Sequence, residues 1–100
     1  MNYIILDLEW NQPSTKEELI KSPDPLYGEI IQFGAVKMNM EKQVTGTFKA
    51  MVKPVYYTKM NSKVEQITGI DEDELEDGKT FPQVYADFIE FCGEDFCFLT

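Results

Sequence analysis

The sequence predicts an α/β fold in which three antiparallel strands form a meander and a helix then crosses over to a fourth strand beside the first. Three observations predict it. The chain opens on a short apolar run, Tyr3–Leu8; a two-residue alternation runs from Val44 to Lys53; and one helical apolar stripe, Phe81 to Cys92, leads directly into Phe96–Leu99.

Each element has a local reason. Tyr3–Leu8 (YIILDL) is short and apolar, as a strand buried on both faces is. Residues 10–27 hold three prolines and much polarity and read as a loop, with Ser14-x-x-Glu17 capping a helical turn inside it. Glu29–Met38 is a second strand, Asn39–Glu41 a turn, and Val44–Lys53 a third strand. In that third strand Val44, Phe48, Ala50 and Val52 face one way and Thr45, Thr47, Lys49 and Lys53 the other, which marks a half-buried strand at a sheet edge. Ser62-Lys63-Val64-Glu65 forms a capping box for a short helix that Gly69 ends. Asp71–Asp77 is acidic at six of seven positions and reads as a solvated loop. Thr80 caps the best helix of the chain, Pro82 lies in its first turn, and Phe81, Val84, Tyr85, Phe88, Ile89 and Cys92 form its apolar face before Gly93 stops it. The final strand, Phe96–Leu99, ends with no turn after it, so residues 1–100 are expected to be the N-terminal part of a single longer domain.

Composition removes several classes. The chain has 43% apolar and 27% charged residues, a globular balance, and no apolar run of the ~20 residues a membrane span needs. No secretory signal precedes the first strand, and two cysteines are too few for a disulfide scaffold, so a reducing cytoplasm is the expected compartment. The absence of histidine removes Ser-His and Cys-His nucleophiles, and one cysteine pair cannot close a zinc site. The net charge of −9 lacks the basic footprint of most nucleic-acid binders, although a metal-dependent phosphodiesterase can be acidic. Charge is unevenly spread: residues 37–63 carry six lysines and one acid, and residues 64–100 eleven acids and one lysine. Lysines of this kind protect a sheet edge from pairing.

Three features are candidates for chemistry. Asp7 and Glu9, at i and i+2 of the first strand, share one face with backbones ~7 Å apart. Carboxylates that follow an apolar strand are costly to bury unless they are paired or metal-bound, and hard oxygen ligands suit Mg²⁺ or Mn²⁺. The residues alone leave both readings open. Asp71–Asp77 imitates a calcium loop, but Leu75 and Glu76 occupy the positions where a fifth-place ligand and a sixth-place glycine belong. Cys92 and Cys97 read as buried thiols. Trp10, beside the carboxylate pair, either stacks on a base or plugs the bottom of a cleft.

The segments YIILDLEWN, EIIQFGAV, Phe48-x-x-x-Val52-Lys53-Pro54 and Ile67-Thr68-Gly69-Ile70 together resemble the DEDD-type 3′–5′ exonucleases, proofreading and RNA-trimming enzymes with a ribonuclease H-like fold. The likeness runs from residue 2 to the C-terminus in the family's order. It implies a mixed sheet with three antiparallel strands, a crossover helix and a fourth strand that delivers the next catalytic aspartate. It implies that Asp7 bridges two Mg²⁺ or Mn²⁺ ions and that Glu9 binds the ion holding the attacking water. It also implies that Trp10 and Asn11, together with the turn Thr68, Gly69, Ile70, lie near the terminal nucleotide of a single-stranded DNA or RNA 3′ end.

The family uses four carboxylates and a His or Tyr base, and only two of those carboxylates match here. The resemblance therefore implies a parent exonuclease and an inactive 100-residue piece. Two other classes are weighed against it: a non-catalytic exonuclease-like module that binds a partner, dimerises or exchanges strands through an exposed sheet edge, and a calcium-responsive module centred on Asp71 and Asp73.

Overall fold

In the computed structural model, which describes residues 1–99, the meander is formed by β1 (Asn2–Asn11), β2 (Glu29–Met38) and β3 (Val44–Met51). Two short helices follow, α1 (Ser62–Thr68) and α2 (Glu72–Glu76), then the long α3 (Phe81–Cys92) and β4 (Phe96–Leu99). The sheet order is β3-β2-β1-β4, with β4 parallel to β1 and the other pairs antiparallel. This is the predicted mixed α/β sheet, and α3 is its crossover. No helix of the described residues is long and apolar enough to cross a membrane.

Pairing fixes the two faces. On one face Ile4, Leu6 and Leu8 meet Phe33, Ala35, Phe48 and Ala50 under α3, whose Val84, Phe88 and Cys92 complete the main core. Its aromatic rings interlock, Phe88 lying 5.4 Å from Phe33 and 5.7 Å from Phe48 between centroids. The other face carries Ile5, Asp7 and Glu9 from β1, Gln32 and Gly34 from β2, and Lys49 and Met51 from β3. A smaller core of Ile31, Met60, Ile70 and Leu75 packs against Met51 and joins α1 and α2 to the sheet.

Several local expectations are corrected. β1 is buried on one face only among the described residues: Ile4 is inaccessible, yet Ile5 is 40% exposed. It also runs on through Trp10 and Asn11, which belong to the stretch whose prolines and polarity predict a loop. The 3₁₀ turn at Lys16–Glu18 is capped by Thr15 rather than Ser14. Beyond the turn, Ile20 bridges to Leu26 and donates its N–H to the Tyr57 hydroxyl, which ties the loop to the body of the fold. Asn61, not Ser62, caps α1; its Oδ1 accepts from the N–H groups of Lys63 and Val64 while its amide donates to the Pro13 carbonyl, a double duty that a serine hydroxyl does not reach.

The acidic segment is a helix rather than a loop. Asp71 accepts the Glu74 N–H at 2.9 Å, three acids lie in the first turn where the helix dipole favours them, and Leu75 is 1% exposed in the smaller core. The α3 stripe is half covered: Val84, Phe88 and Cys92 are buried, whereas Phe81, Tyr85 and Ile89 remain accessible. β3 stops at Met51, and Val52 instead bridges in parallel to Lys79. Its place at the sheet edge agrees with the lysine pattern. Cys92 is a buried free thiol, as read; Cys97 is free and only partly covered.

Candidate active site

Asp7 and Glu9 are presented together because β1 alternates and its inward partners are all apolar. Ile4, Leu6 and Leu8 anchor the strand under α3, so the intervening carboxylates must face out on the opposite side. Asp7 pairs with Gly34 and Glu9 with Gln32 across the β1–β2 ladder. The two ion pairs of the described residues join the N-terminus to Asp95 and Lys79 to Asp87; neither Asp7 nor Glu9 takes part. Asp7 lies in an open groove of about 440 Å³ floored by Gly34 and lined by Gln32, Thr47 and Lys49. Asp7 is exposed and Glu9 half-buried.

This donor set suits a hard divalent cation. Two carboxylates on one strand face are oxygen ligands, and Mg²⁺ is held by one or two carboxylates plus waters and substrate phosphates rather than by a closed protein cage. Among the described residues no group of three or more Asp, Glu, Cys or His gathers into a metal-sized cluster. Two acids of the calcium reading are already engaged within the fold. There Asp71 is engaged as a cap and Glu72 accepts the Met60 N–H at 2.8 Å.

Asn11 behaves differently from its neighbours. The register shifts between Glu9 and Trp10, leaving Ile31 of β2 unpaired, and Asn11 beyond the shift is 0% exposed, covered by residues 57–61. Its amide donates to the carbonyls of Tyr57 (2.9 Å) and Lys59 (3.0 Å), and its Oδ1 accepts the Asn61 N–H (3.0 Å). Its side chain is therefore interior and engaged, which leaves main-chain groups as its means of approach to a nucleotide. It ties the end of β1 to the segment that starts α1. Glu29 performs a parallel task, accepting the N–H groups of Val55 (2.8 Å), Tyr56 (3.1 Å) and Tyr57 (2.8 Å). Neither network leaves a local signal in the sequence, since the partners are up to 50 residues away.

Trp10 is 47% exposed and lines a mostly apolar cleft of about 280 Å³ with Ile30, Val52, Tyr56 and Phe81. Gly28 lies against this strand end: a Cβ there would meet the Asn11 carbonyl at 3.3 Å, tighter than an ordinary contact. The turn after α1 is built by Gly69 in the left-handed region (φ 74°) and by Thr68, whose hydroxyl donates to the Val64 carbonyl at 2.8 Å and accepts the Ile70 N–H at 3.2 Å. Ile70 itself is 3% exposed and serves the smaller core, which packs on Met51 in the same row as Glu9 and Gln32. The turn thus borders the carboxylate face. A cleft of about 700 Å³ lies in the loop over residues 12–27 and contains none of the predicted site residues. Gln32, Gly34 and Lys49 were not singled out as site residues; only the register places them beside Asp7.

A sheet of order β3-β2-β1-β4, crossed over by one helix and carrying a carboxylate pair on the first strand, is of the ribonuclease H-like nuclease class. Within that class, the RNase T exonuclease family model matches residues 4–100, and the chain belongs to that family. It is 31% identical over 71 residues to human 3′-5′ exoribonuclease 1, covering 70% of this chain and 20% of that protein. It is 36% identical over 63 residues to the PolC-type DNA polymerase III of Caldanaerobacter subterraneus subsp. tengcongensis, covering 63% of this chain and 4% of that protein. The nuclease domain of 3′hExo, a DEDDh family member solved with rAMP bound, superposes with a TM-score of 0.79 at 25% identity, over 99% of this chain and 50% of that one. Escherichia coli exonuclease I in complex with an oligonucleotide shares the fold at a TM-score of 0.64 and 20% identity, over 97% of this chain and 20% of that one. The chain thus spans a small fraction of the curated relatives it matches.

Proposed function

We propose that this chain supplies the first half of a 3′–5′ exonuclease centre, acting on a single-stranded DNA or RNA end, within one domain that continues beyond these residues. The observation that carries the reading is the pair Asp7 and Glu9 on the open face of β1, without an ion-pair partner among the described residues, in a chain of an exonuclease family. Asp7 and Glu9 would hold Mg²⁺ or Mn²⁺. When bound, such ions supply charge stabilisation to the attacking and leaving oxygens of an in-line displacement. The protein's own part is to orient. β1 fixes the two carboxylates on one rigid strand, Asn11 and Asn61 hold α1 against its end, and Thr68, Gly69 and Ile70 border the face where the terminal nucleotide would lie. Trp10 would offer its accessible ring to a base.

The 100 residues alone are proposed to be inactive, because two further carboxylates and a base are required. The test uses single-stranded RNA and DNA labelled at the 5′ end, with Mg²⁺ and the full-length protein that carries this chain. Stepwise shortening from the 3′ end, absent in Asp7→Ala and absent with the 100-residue chain, is the expected result. Release of the 5′ label as a mononucleotide, or undiminished cleavage by Asp7→Ala, would contradict it.

A binding-module reading draws on one observation. β4 is an outer strand of the sheet among the described residues, and Phe98 and Leu99 are 50% and 42% exposed. Dimerisation or strand exchange of the 100-residue chain through this edge is the corresponding proposal, checked by light scattering across a concentration series.

A further inference from the structure

Lysines on an edge strand are explained by edge protection, yet one of them has a neighbourhood that protection does not require. Asp7 on β1, Gly34 on β2 and Lys49 on β3 form a single row across three strands on the same face. Neighbouring strands lie about 4.8 Å apart, which sets the Asp7 and Lys49 backbones about 10 Å apart. Gly34 has no side chain, so none rises between them. Both side chains line the same groove, with Gln32 and Thr47. Lys49 is exposed and belongs to neither ion pair of the described residues. On its other side it borders a groove with Glu74, Asp77 and Asp87; the last is already paired with Lys79 at 3.0 Å.

A phosphodiester substrate brought to Asp7 and Glu9 meets two like charges. A cation placed across the groove floor offsets that repulsion and gives the strand a place to bind. We infer that Lys49 is a substrate-positioning residue, whose ammonium receives a backbone phosphate of the nucleic acid over Gly34 while the end to be cut is held at Asp7 and Glu9. The inference rests on the exonuclease reading and adds a residue to it. Lysine acts here as a point charge on a flexible four-carbon stem, so arginine should replace it and methionine should not.

The experiment uses the full-length protein that carries this chain and its Lys49→Met, Lys49→Gln and Lys49→Arg variants, with Lys42→Met on the β2–β3 turn as a charge-matched control. One readout is the anisotropy of a fluorescein-labelled single-stranded oligonucleotide in Mn²⁺ across a salt series. The other is Mn²⁺ binding alone, by paramagnetic broadening. Lys49→Met and Lys49→Gln are expected to weaken oligonucleotide binding and to lower the slope of log K against log salt by about 0.7, the value of one phosphate contact on a single strand. The same two variants should bind Mn²⁺ about two-fold more tightly, because a positive charge about 10 Å from Asp7 has been removed. Lys49→Arg and Lys42→Met should change neither.

These opposite movements separate positioning from stability, since partial unfolding would weaken both. Unchanged slope and unchanged Mn²⁺ affinity in cooperatively melting Lys49→Met and Lys49→Gln would overturn the inference and leave Lys49 an edge-protecting residue. Loss of Mn²⁺ binding in Asp7→Ala alongside that result would leave the exonuclease reading standing. Mn²⁺ binding that survives Asp7→Ala would instead remove the reading itself.

Discussion

The last five residues of β1 carry polar side chains of two opposite kinds. Asn11 is inaccessible and makes three hydrogen bonds to backbone groups of residues 57–61. Asp7 and Glu9, only a few residues earlier on the same strand, take part in neither ion pair of the described residues. The difference teaches how to tell scaffold from site. A buried amide is tolerable only when each of its groups finds a partner, so Asn11 specifies where the chain must go. A carboxylate pair without such partners adds repulsion rather than stability, which fits the ion-holding role proposed for it.

That contrast can be broken at several points. The largest stability effect is expected for Asn11→Ala, which strands the Tyr57 and Lys59 carbonyls and the Asn61 N–H in the interior. Only the bond to Tyr57 is fully buried, so a loss of about 2–3 kcal/mol by urea unfolding is the expected outcome, and a loss below about 1 kcal/mol would show that water satisfies all three groups. Glu29→Ala removes one acceptor shared by three N–H groups. Being half-buried, it should cost less, about 1–2 kcal/mol, with increased amide exchange at Val55–Tyr57 as the local signature.

The smallest effect concerns pH. Burial pushes the Cys92 thiol up from its ordinary value, and nearby Lys37 offsets this in part. The unfolded thiol then ionises first, so between the two pKa values the native state binds more protons and stability falls as pH rises. The Cys92 contribution to stability is expected to be level below the ordinary thiol pKa of about 8.5 and to decline through the raised native pKa, with the decline reduced in Cys92→Ala. A Cys92→Ala profile that declines as steeply as the parent's would assign the effect to other groups.

Much of the scaffold could be read before the structure. The apolar run of β1, the alternation of β3 and the stripe of α3 each report burial directly, and burial is what period 2 or 3.6 records. The facing of Asp7 and Glu9 follows from the same alternation. What could not be read depended on register and on distant partners. The burial of the Asn11 side chain depends on Tyr57, Lys59 and Asn61, partners too distant along the chain for any local pattern to reveal. Gln32, Gly34 and Lys49 reach the carboxylate groove only through strand pairing. Leu75 holds α2 as a helix through a tertiary contact, which the six surrounding acids concealed. The exposure of Phe81, Tyr85 and Ile89 was equally hidden, because amphipathicity reports a face without saying what covers it.

The most direct test of the central claim is Mn²⁺ binding to the full-length protein that carries this chain, compared with Asp7→Ala and Glu9→Ala and paired with the unfolding free energy of each. The account predicts that both substitutions abolish or strongly weaken Mn²⁺ binding while changing stability by no more than about 0.5 kcal/mol, in either direction. Mn²⁺ binding indifferent to both substitutions, or a stability loss as large as that of Asn11→Ala, would contradict it and make the carboxylate pair part of the scaffold.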